Sequence, residues 1–479
     1  MPVRVLTRCI CMKRPNILVL MNDQHRADCL SCAGHPAIRT PNMDRLAAEG
    51  VRFSRAYTAS PVCMPARSSL LTGLYCHNHG QWLNGVAALY HESETYPNHL
   101  KRAGYHTCHI GKGHLYPHRP ECHLEEGKPI MRSLGWDDVF ETTGPSATRV
   151  IDSIVTDHWR QIGCLETFRA DYRRRREVGR TASLWPSPMP KGEALDDFIG
   201  RTAVEYLSGY AREEPFLVFV GFAGPHPPWD PPADWAAKYD PAKMDGAKPV
   251  TEPGPWVPPP AAEHQRELQN TSRRVTPEVN ARIRSLYYAK ISHIDSWYGR
   301  ILDTLGDRGM LDNTSVIFWS DHGEMLCDKG RFGKSVFYEE AVHVPLIIRP
   351  AQSDQPGRVC DRLVSMVDVF ATILDLAGYE TGWRGLGKSL LPLLKDPEAP
   401  HHDAVFSEIQ NRTMIRDERF KMVVDDTGTV LKLYDLKKDP DEAVNLVGRR
   451  GTEETVSRLN RRLLEWYLST PVRRTGKTR

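Results

Sequence analysis

Four points along the chain carry side chains that bind metals, move protons or attack electrophiles. Asp23 stands in Asn22-Asp23-Gln24-His25, directly after the apolar run Asn16 to Met21. Asp321 and His322 follow the run Val316 to Trp319, and His226 stands in Gly224-Pro225-His226-Pro227-Pro228 after the run Phe216 to Phe222. Carboxylates with an imidazole suit a divalent cation, and histidine is the side chain poised to exchange a proton near neutral pH. Each also has a plain structural use. Asp23 could cap the next helix, Asp321 to Gly323 could be a turn, and His226 could be a hydrogen-bonded loop histidine. The fourth point is Cys63, which by itself reads as a core residue ahead of an apolar helix.

Those residues acquire meaning from the elements that must hold them. The runs Asn16 to Met21, Phe216 to Phe222 and Val316 to Trp319 are continuously apolar, as strands buried on both faces of a parallel sheet are. A fourth strand is expected over Val344 to Ile348. In such a sheet ligands bind beyond the carboxyl ends of the strands, where Asp23, His226 and Asp321-His322 would converge. Thr40 as N-cap, Pro41 in the first turn and Gly50 as stop mark one helix. Leu195 to Leu207 and Ile283 to Leu305 carry apolar residues at helical spacing, the second predicting one long amphipathic helix. Strands alternating with helices predict an α/β fold with a mostly parallel central sheet flanked by helices.

The carboxyl-terminal part reads differently. Phe420 to Val424 and Val430 to Tyr434 flank Asp425-Asp426-Thr427-Gly428, a hairpin signal, and an amphipathic helix follows over Glu453 to Leu468. We expect a tail over 1–12, a catalytic α/β domain over 13–379 and a smaller α+β subdomain over 380–479. Residues 141–193 and 225–260 read as irregular; the second stretch holds twelve of the chain's 36 prolines. Its Trp229, Trp235 and Trp256 suit either a substrate-pocket wall or packing against the domain. Arg173 to Arg176 reads as a solvated face.

Composition narrows the functions. The chain has 479 residues, with 63 Lys+Arg against 60 Asp+Glu and a formal net charge of +3. That balance argues against a nucleic-acid binder. No apolar stretch nears the roughly 20 residues of a membrane span, and no block of signal-peptide type opens the chain, so a cytoplasmic protein without a membrane role is expected. The 11 cysteines are an odd number at irregular spacing, which suits reduced thiols. Cys29 and Cys32 form a C-x-x-C pair that no second pair completes as a zinc site.

Cys63 lies in Ser60-Pro61-Val62-Cys63-Met64-Pro65-Ala66-Arg67-Ser68-Ser69-Leu70-Leu71-Thr72-Gly73. The C-x-P-x-R spacing followed by S-x-L-L-T-G resembles the sulfatase signature, whose cysteine is oxidised to formylglycine. Further segments are similar in order to that family, which belongs to the alkaline phosphatase superfamily. They are Asn16 to Asp28, Thr40 to Gly50, Gly111-Lys112-Gly113-His114-Leu115, Pro225-His226-Pro227, Ser320-Asp321-His322-Gly323-Glu324, Gly333-Lys334 through Tyr338-Glu339, and Tyr434-Asp435-Leu436 with Asp439 to Glu442. Two positions depart from the common pattern of paired aspartates and Asp-Asn: here they are Asp23-Gln24 and Asp321-His322. That pattern resembles choline sulfatases and phosphonate monoester hydrolases of the same superfamily.

The resemblance implies a sulfuric ester hydrolase releasing an alcohol and inorganic sulfate. It implies formylglycine at Cys63 and a divalent cation held by Asp23, Gln24, Cys63, Asp321 and His322. Calcium is expected, while the imidazole also suits Mn²⁺ or Zn²⁺. By the same resemblance a hydroxyl of the hydrated aldehyde attacks sulfur, Lys112 and Lys334 hold the developing charge, and His226 protonates the leaving oxygen. His114 takes a proton when sulfate is expelled, Arg67 steadies the residue at position 63, and Asn84 contacts the substrate anion. The expected partners are a small-molecule or carbohydrate sulfate ester and, during maturation, a formylglycine-generating enzyme. A phosphodiesterase or phosphonate monoester hydrolase using the same site is the alternative; Lys112 with His114 favours sulfate.

Overall fold

The run Asn16–Asp23 forms strand β1, and all eight of its residues are buried in the computed structural model, which describes residues 14–85, 94–120, 122–249, 275–352, 357–383 and 385–470. The expected tail over 1–12 and Trp256 lie outside these residues. β1 is the middle of a nine-stranded sheet with β2 (Val51–Tyr57), β3 (His106–Lys112), β4 (Asp138–Thr142), β5 (Phe216–Pro225), β6 (Thr314–Ser320), β7 (His343–Val344), β8 (Leu346–Arg349) and β9 (Arg358–Ser365), in the order β4-β3-β5-β1-β6-β8-β2-β7, with β9 also on β2. Ile17, Val19 and Met21 enter one apolar core, and Leu18 and Leu20 enter the other. Two-sided burial is why the strand reads as an unbroken apolar run rather than an alternation.

The β4-β3-β5-β1-β6 half is parallel throughout. The other half is mixed, because β8 runs antiparallel to both β6 and β2. The expected strand over Val344 to Ile348 is in fact two short ones, β7 and β8, with Pro345 between them. Proline has no N–H to give a ladder and breaks the strand there. One face of the sheet is covered by the helices Pro41–Ala48, Leu195–Ser208 and Pro277–Asp307, the other by Cys63–Thr72, Tyr96–Arg102 and Val367–Leu376. The long helix Pro277–Asp307 is more enclosed than an amphipathic pattern implies: 20 of its 31 residues are buried.

Two local expectations change. Thr40 does not cap its helix; its hydroxyl pairs with Ser31 Oγ at 2.8 Å. The free N–H groups of Asn42 and Met43 are taken instead by the Asp295 carboxylate at 3.1 and 2.8 Å. A buried carboxylate from the long helix outcompetes the local hydroxyl. The stretch 141–193 is not irregular throughout, since it contains the helices Ile154–Gln161 and Leu165–Val178. Arg173, Arg174 and Arg176 are solvated, but Arg175 is buried, with Nε 2.6 Å from Asp171 and N–H donors to the carbonyls of Ser183 and Trp185. Charge density hid the helix, because its apolar stripe is narrow.

The carboxyl-terminal strands β10 (Ala404–Ile409), β11 (Arg412–Asp417), β12 (Phe420–Asp425) and β13 (Val430–Asp435) form an antiparallel meander. The helix Glu453–Ser469 packs Leu459, Leu463 and Trp466 into the same apolar cluster as β1. The small sheet therefore shares the main core. The nine cysteines among the described residues are all free thiols.

Candidate active site

Register places the site. Asn22 of β1 lies beside Ser320 of β6, and Asp23 lies beside Pro225 of β5. Three neighbouring parallel strands thus end level, and the next residues are Gln24, Asp321 and His226. Lys112 closes β3 one strand further out. Glycines permit that approach: a Cβ on Gly221 would stand 2.6 Å from the Lys112 carbonyl oxygen.

Cys63 is the first residue of the helix Cys63–Thr72, every residue of which is buried. No side chain of its N-cap, Val62, bonds the helix start; Asn84 Oδ1 accepts the Met64 N–H at 2.9 Å instead. The thiol is 1 % exposed. Its Sγ lies 3.2 Å from His322 Nε2, 3.1 Å from Lys334 Nζ and 4.0 Å from Asp23 Oδ1. Ligand atoms of Asp23, Cys63, Asp321 and His322 all fall within 4.8 Å of one another.

Cations bind this cluster together. Arg67 spans both aspartates, with Nη2 3.0 Å from Asp23 and Nε 3.0 Å from Asp321. Its Nη1 donates to the Lys112 carbonyl at 2.6 Å. Lys112 Nζ pairs with Asp23. Lys334 Nζ donates to Gln24 Oε1 at 2.7 Å, and Gln24 Nε2 donates to Glu324. Gln24 and His114 hold φ of +70° and +52°. Such left-handed backbone costs a non-glycine residue of order 1–2 kcal/mol, and strain of this kind gathers at functional sites.

The charges shift one another. Burial disfavours ionisation of Asp23, but Lys112, with His226, Arg67 and Lys334, holds its carboxyl well below the usual range. Burial, with Asp23 beside it, raises Asp321. The Cys63 thiol is held well below its ordinary value, since Lys334, Lys112 and His322 outweigh burial and Asp23. Burial and Lys334 push His226 well down. Burial takes His114 to about 4.

The donor set fits a divalent cation. His322 Nδ1 donates to the Gly323 carbonyl at 3.0 Å, which orients the ring so that Nε2 faces the cluster, as metal-bound histidines are held. Asp23 and Asp321 add anionic oxygens at the same point. Gln24 lies beside them, with its only acceptor oxygen on Lys334.

The structure brings together Asp23, Gln24, Cys63, Arg67, Lys112, Asp321, His322 and Lys334 by direct contact. His114 reaches Cys63 by a side-chain hydrogen bond, and His226 interacts with Asp23 through charge. His226 Nδ1 donates to the Pro227 carbonyl at 2.7 Å, leaving Nε2 for chemistry. Trp229 is buried, with its ring centroid 5.8 Å from that of Phe332. Trp235 lies under the Lys238 ammonium.

Sequence reasoning missed the supports. Lys290 Nζ reaches the carbonyls of His226 and Pro228 at 3.2 and 3.0 Å and Asp230 at 2.8 Å. Glu324 bonds Gln24 and the Leu326 N–H, the latter at 3.1 Å. Glu324 was visible in the Ser320 to Glu324 segment. Lys290 carried no signal, because a lysine on a helix reads as surface.

Comparisons with known proteins identify the family. The sulfatase family model matches residues 15–379, and the N-sulphoglucosamine sulphohydrolase C-terminal model matches residues 327–468. The chain is similar to an arylsulfatase of Clostridium perfringens, 29% identical over 94% of each protein. It is also similar to the sulfatase YidJ of Escherichia coli, 31% identical over 95% of this chain and 87% of that protein. Among solved structures, a phosphonate monoester hydrolase of Agrobacterium radiobacter superposes with a TM-score of 0.79 at 27% identity, covering 96% of both chains.

Proposed function

The chain belongs to the sulfatase family, and from that premise we propose that Cys63, once oxidised to formylglycine, is the centre at which it cleaves a sulfate ester. It is a sulfuric ester hydrolase, yielding an alcohol and inorganic sulfate. The observation that carries the assignment to these residues is the convergence of Asp23, Cys63, Asp321 and His322 on one point, with Lys334 against the same sulfur.

Asp23, Asp321 and His322 would hold a divalent cation that supplies positive charge beside position 63, and a hydrated formylglycine there would supply one hydroxyl as nucleophile and a second to be deprotonated as sulfate leaves. Lys112 and Lys334 bind the sulfuryl oxygens and hold the charge that grows on them. Arg67 keeps both aspartates in place. His226 delivers a proton from Nε2 to the leaving oxygen. In the free protein its low proton affinity comes from burial and the nearby lysines, so the anionic substrate itself would raise it into working range. His114, neutral at physiological pH, takes a proton from position 63 in the second half. Asn84 presents its amide N–H groups to the substrate anion while its oxygen holds Met64.

Calcium is the proposed ion; the His322 donor also admits Mn²⁺ or Zn²⁺. A formylglycine-generating enzyme is the proposed maturation partner. Asp321→Ala should lose bound metal and turnover together, read by elemental analysis beside a nitrophenyl sulfate assay; full metal occupancy in that variant would remove Asp321 from the ligand set.

One observation supports a second activity on phosphonate esters. The Asp23-Gln24 and Asp321-His322 pairs share the pattern associated with phosphonate monoester hydrolases, and the fold superposes on one. Lys112 and His114 favour the sulfate reading. Paired nitrophenyl sulfate and phenylphosphonate esters should show the higher kcat/KM for sulfate; the reverse ranking would invert the order of the two activities.

A further inference from the structure

A second group of metal-type donors lies outside the active site. Asp368, on the first turn of the helix Val367–Leu376, is fully buried. His401 and His402 come from the segment ahead of β10. His402 Nε2 stands 2.9 and 3.0 Å from the two oxygens of Asp368, and His401 Nε2 stands 3.2 Å from Oδ2. The side chains of Asp368 and His401 are 0 % and 3 % exposed, that of His402 15 %.

Three features of this arrangement point to a cation. Consecutive residues of an extended chain direct their side chains to opposite sides, and His402 is held to Leu363 of β9 by an antiparallel bridge. Both rings nevertheless turn inward, with centroids 4.4 Å apart. Both present the same nitrogen, Nε2, to one carboxylate, and the three ligand atoms lie within 4.8 Å of one another. Tetrahedral ligands about 2 Å from a zinc ion stand roughly 3.3 Å apart, and each imidazole nitrogen here lies 2.9 to 3.2 Å from the carboxylate. Finally, the carboxylate is held from behind. The Lys388 N–H donates to Oδ1 and the Ser365 N–H to Oδ2, each at 2.8 Å. Such outer hydrogen bonds orient a ligating carboxylate.

We propose that Asp368, His401 and His402 form a second divalent-cation site, of the zinc class, that pins the segment leading into the carboxyl-terminal sheet to the central α/β layer. Two imidazole nitrogens and one carboxylate oxygen are donors suited to zinc rather than to calcium or magnesium. The half-open edge at His402 leaves a fourth position for water. The site lies on different elements from Cys63 and needs none of the residues given a part in sulfate ester cleavage, so its failure and that of the catalytic assignment are separable.

The test uses the full-length enzyme, stripped by a chelator, reloaded with Zn²⁺, desalted and measured by elemental analysis. Wild type should retain two zinc ions per chain, Asp321→Ala one, and the His401→Gln/His402→Gln double variant one with turnover unchanged. A wild type that retains one ion, which Asp321→Ala abolishes, overturns the proposal. So does a double variant that keeps both. If the double variant does not fold, Co²⁺ loading of Asp321→Ala decides. The visible bands of tetrahedral Co²⁺ are expected there, and the spectrum of hydrated Co²⁺ alone would contradict the site.

Discussion

His226 and Lys334 touch opposite ends of the same bond in the proposed chemistry, and substitution separates them. As the proposed general acid His226 would protonate the leaving oxygen, so His226→Ala should hurt poor leaving groups most and nitrophenyl esters least. Lys334 faces position 63 at 3.1 Å and has the proposed role of holding the sulfuryl group; Lys334→Ala should slow every ester, by about 10²- to 10³-fold in kcat as for a lost oxyanion donor. A leaving-group series read as kcat/KM checks both, and equal losses across the series in the His226 variant would withdraw its role as acid. The metal-type residues were legible before the fold, since Asp23, Asp321 and His322 follow apolar runs immediately. Lys290, which holds the His226 carbonyl at 3.2 Å, was not, because burial of a lysine depends on which helix face meets the sheet.

At the scale of elements, β3 carries both a proposed catalytic lysine at its end and a histidine inside. His109 is buried against Phe219, ring centroids 4.9 Å apart, and neither ring nitrogen has a partner among the described residues. Burial lowers it to about 4 from an ordinary 6.5. The unfolded chain therefore takes up this proton first as pH falls. The histidine's contribution to stability is full above about pH 6.5 and is lost as pH falls towards 4, up to about 3 kcal/mol by linkage. His109→Phe keeps the stacked ring and removes the titration. Denaturant unfolding at pH 7 and pH 4.5 should show a smaller loss in the variant than in wild type, and an equal loss would mean that His109 does not drive the acid sensitivity. The central strands were legible as apolar runs. The reversed edge was not, because short strands such as Leu346–Arg349 look alike in either direction.

At the scale of the whole molecule, a buried ammonium of the small sheet ties it to the segment beside the active site. Lys421 of β12 is fully buried, lies 2.6 Å from Glu339 and 2.7 Å from Glu442, and donates to the Phe337 carbonyl at 2.9 Å. Phe337 and Glu339 belong to the segment that begins at Lys334, so the small sheet supports a wall of the site. Lys421→Met would leave the buried Glu442 carboxylate and the largely buried Glu339 carboxylate without this ammonium. It should destabilise the protein by about 3–5 kcal/mol and lower turnover through the Lys334 segment. Chemical denaturation checks the first and kcat the second; a change under about 1 kcal/mol would mean the carboxylates find another partner. The hairpin and terminal helix of this part were legible, but its shared core was not, since contacts between distant segments leave no periodicity.

In the proposed chemistry the whole enzyme works through a modified Cys63. Cys63 is 1 % exposed at the head of a buried helix, so the proposed conversion is expected before the chain folds, and supply of a formylglycine-generating enzyme during synthesis is the condition to use. Peptide mass spectrometry on the purified, active protein should then show the Cys63 peptide changed by exchange of H₂S for O, or its hydrate, in proportion to specific activity. Full activity in protein carrying only unmodified Cys63 would contradict the account.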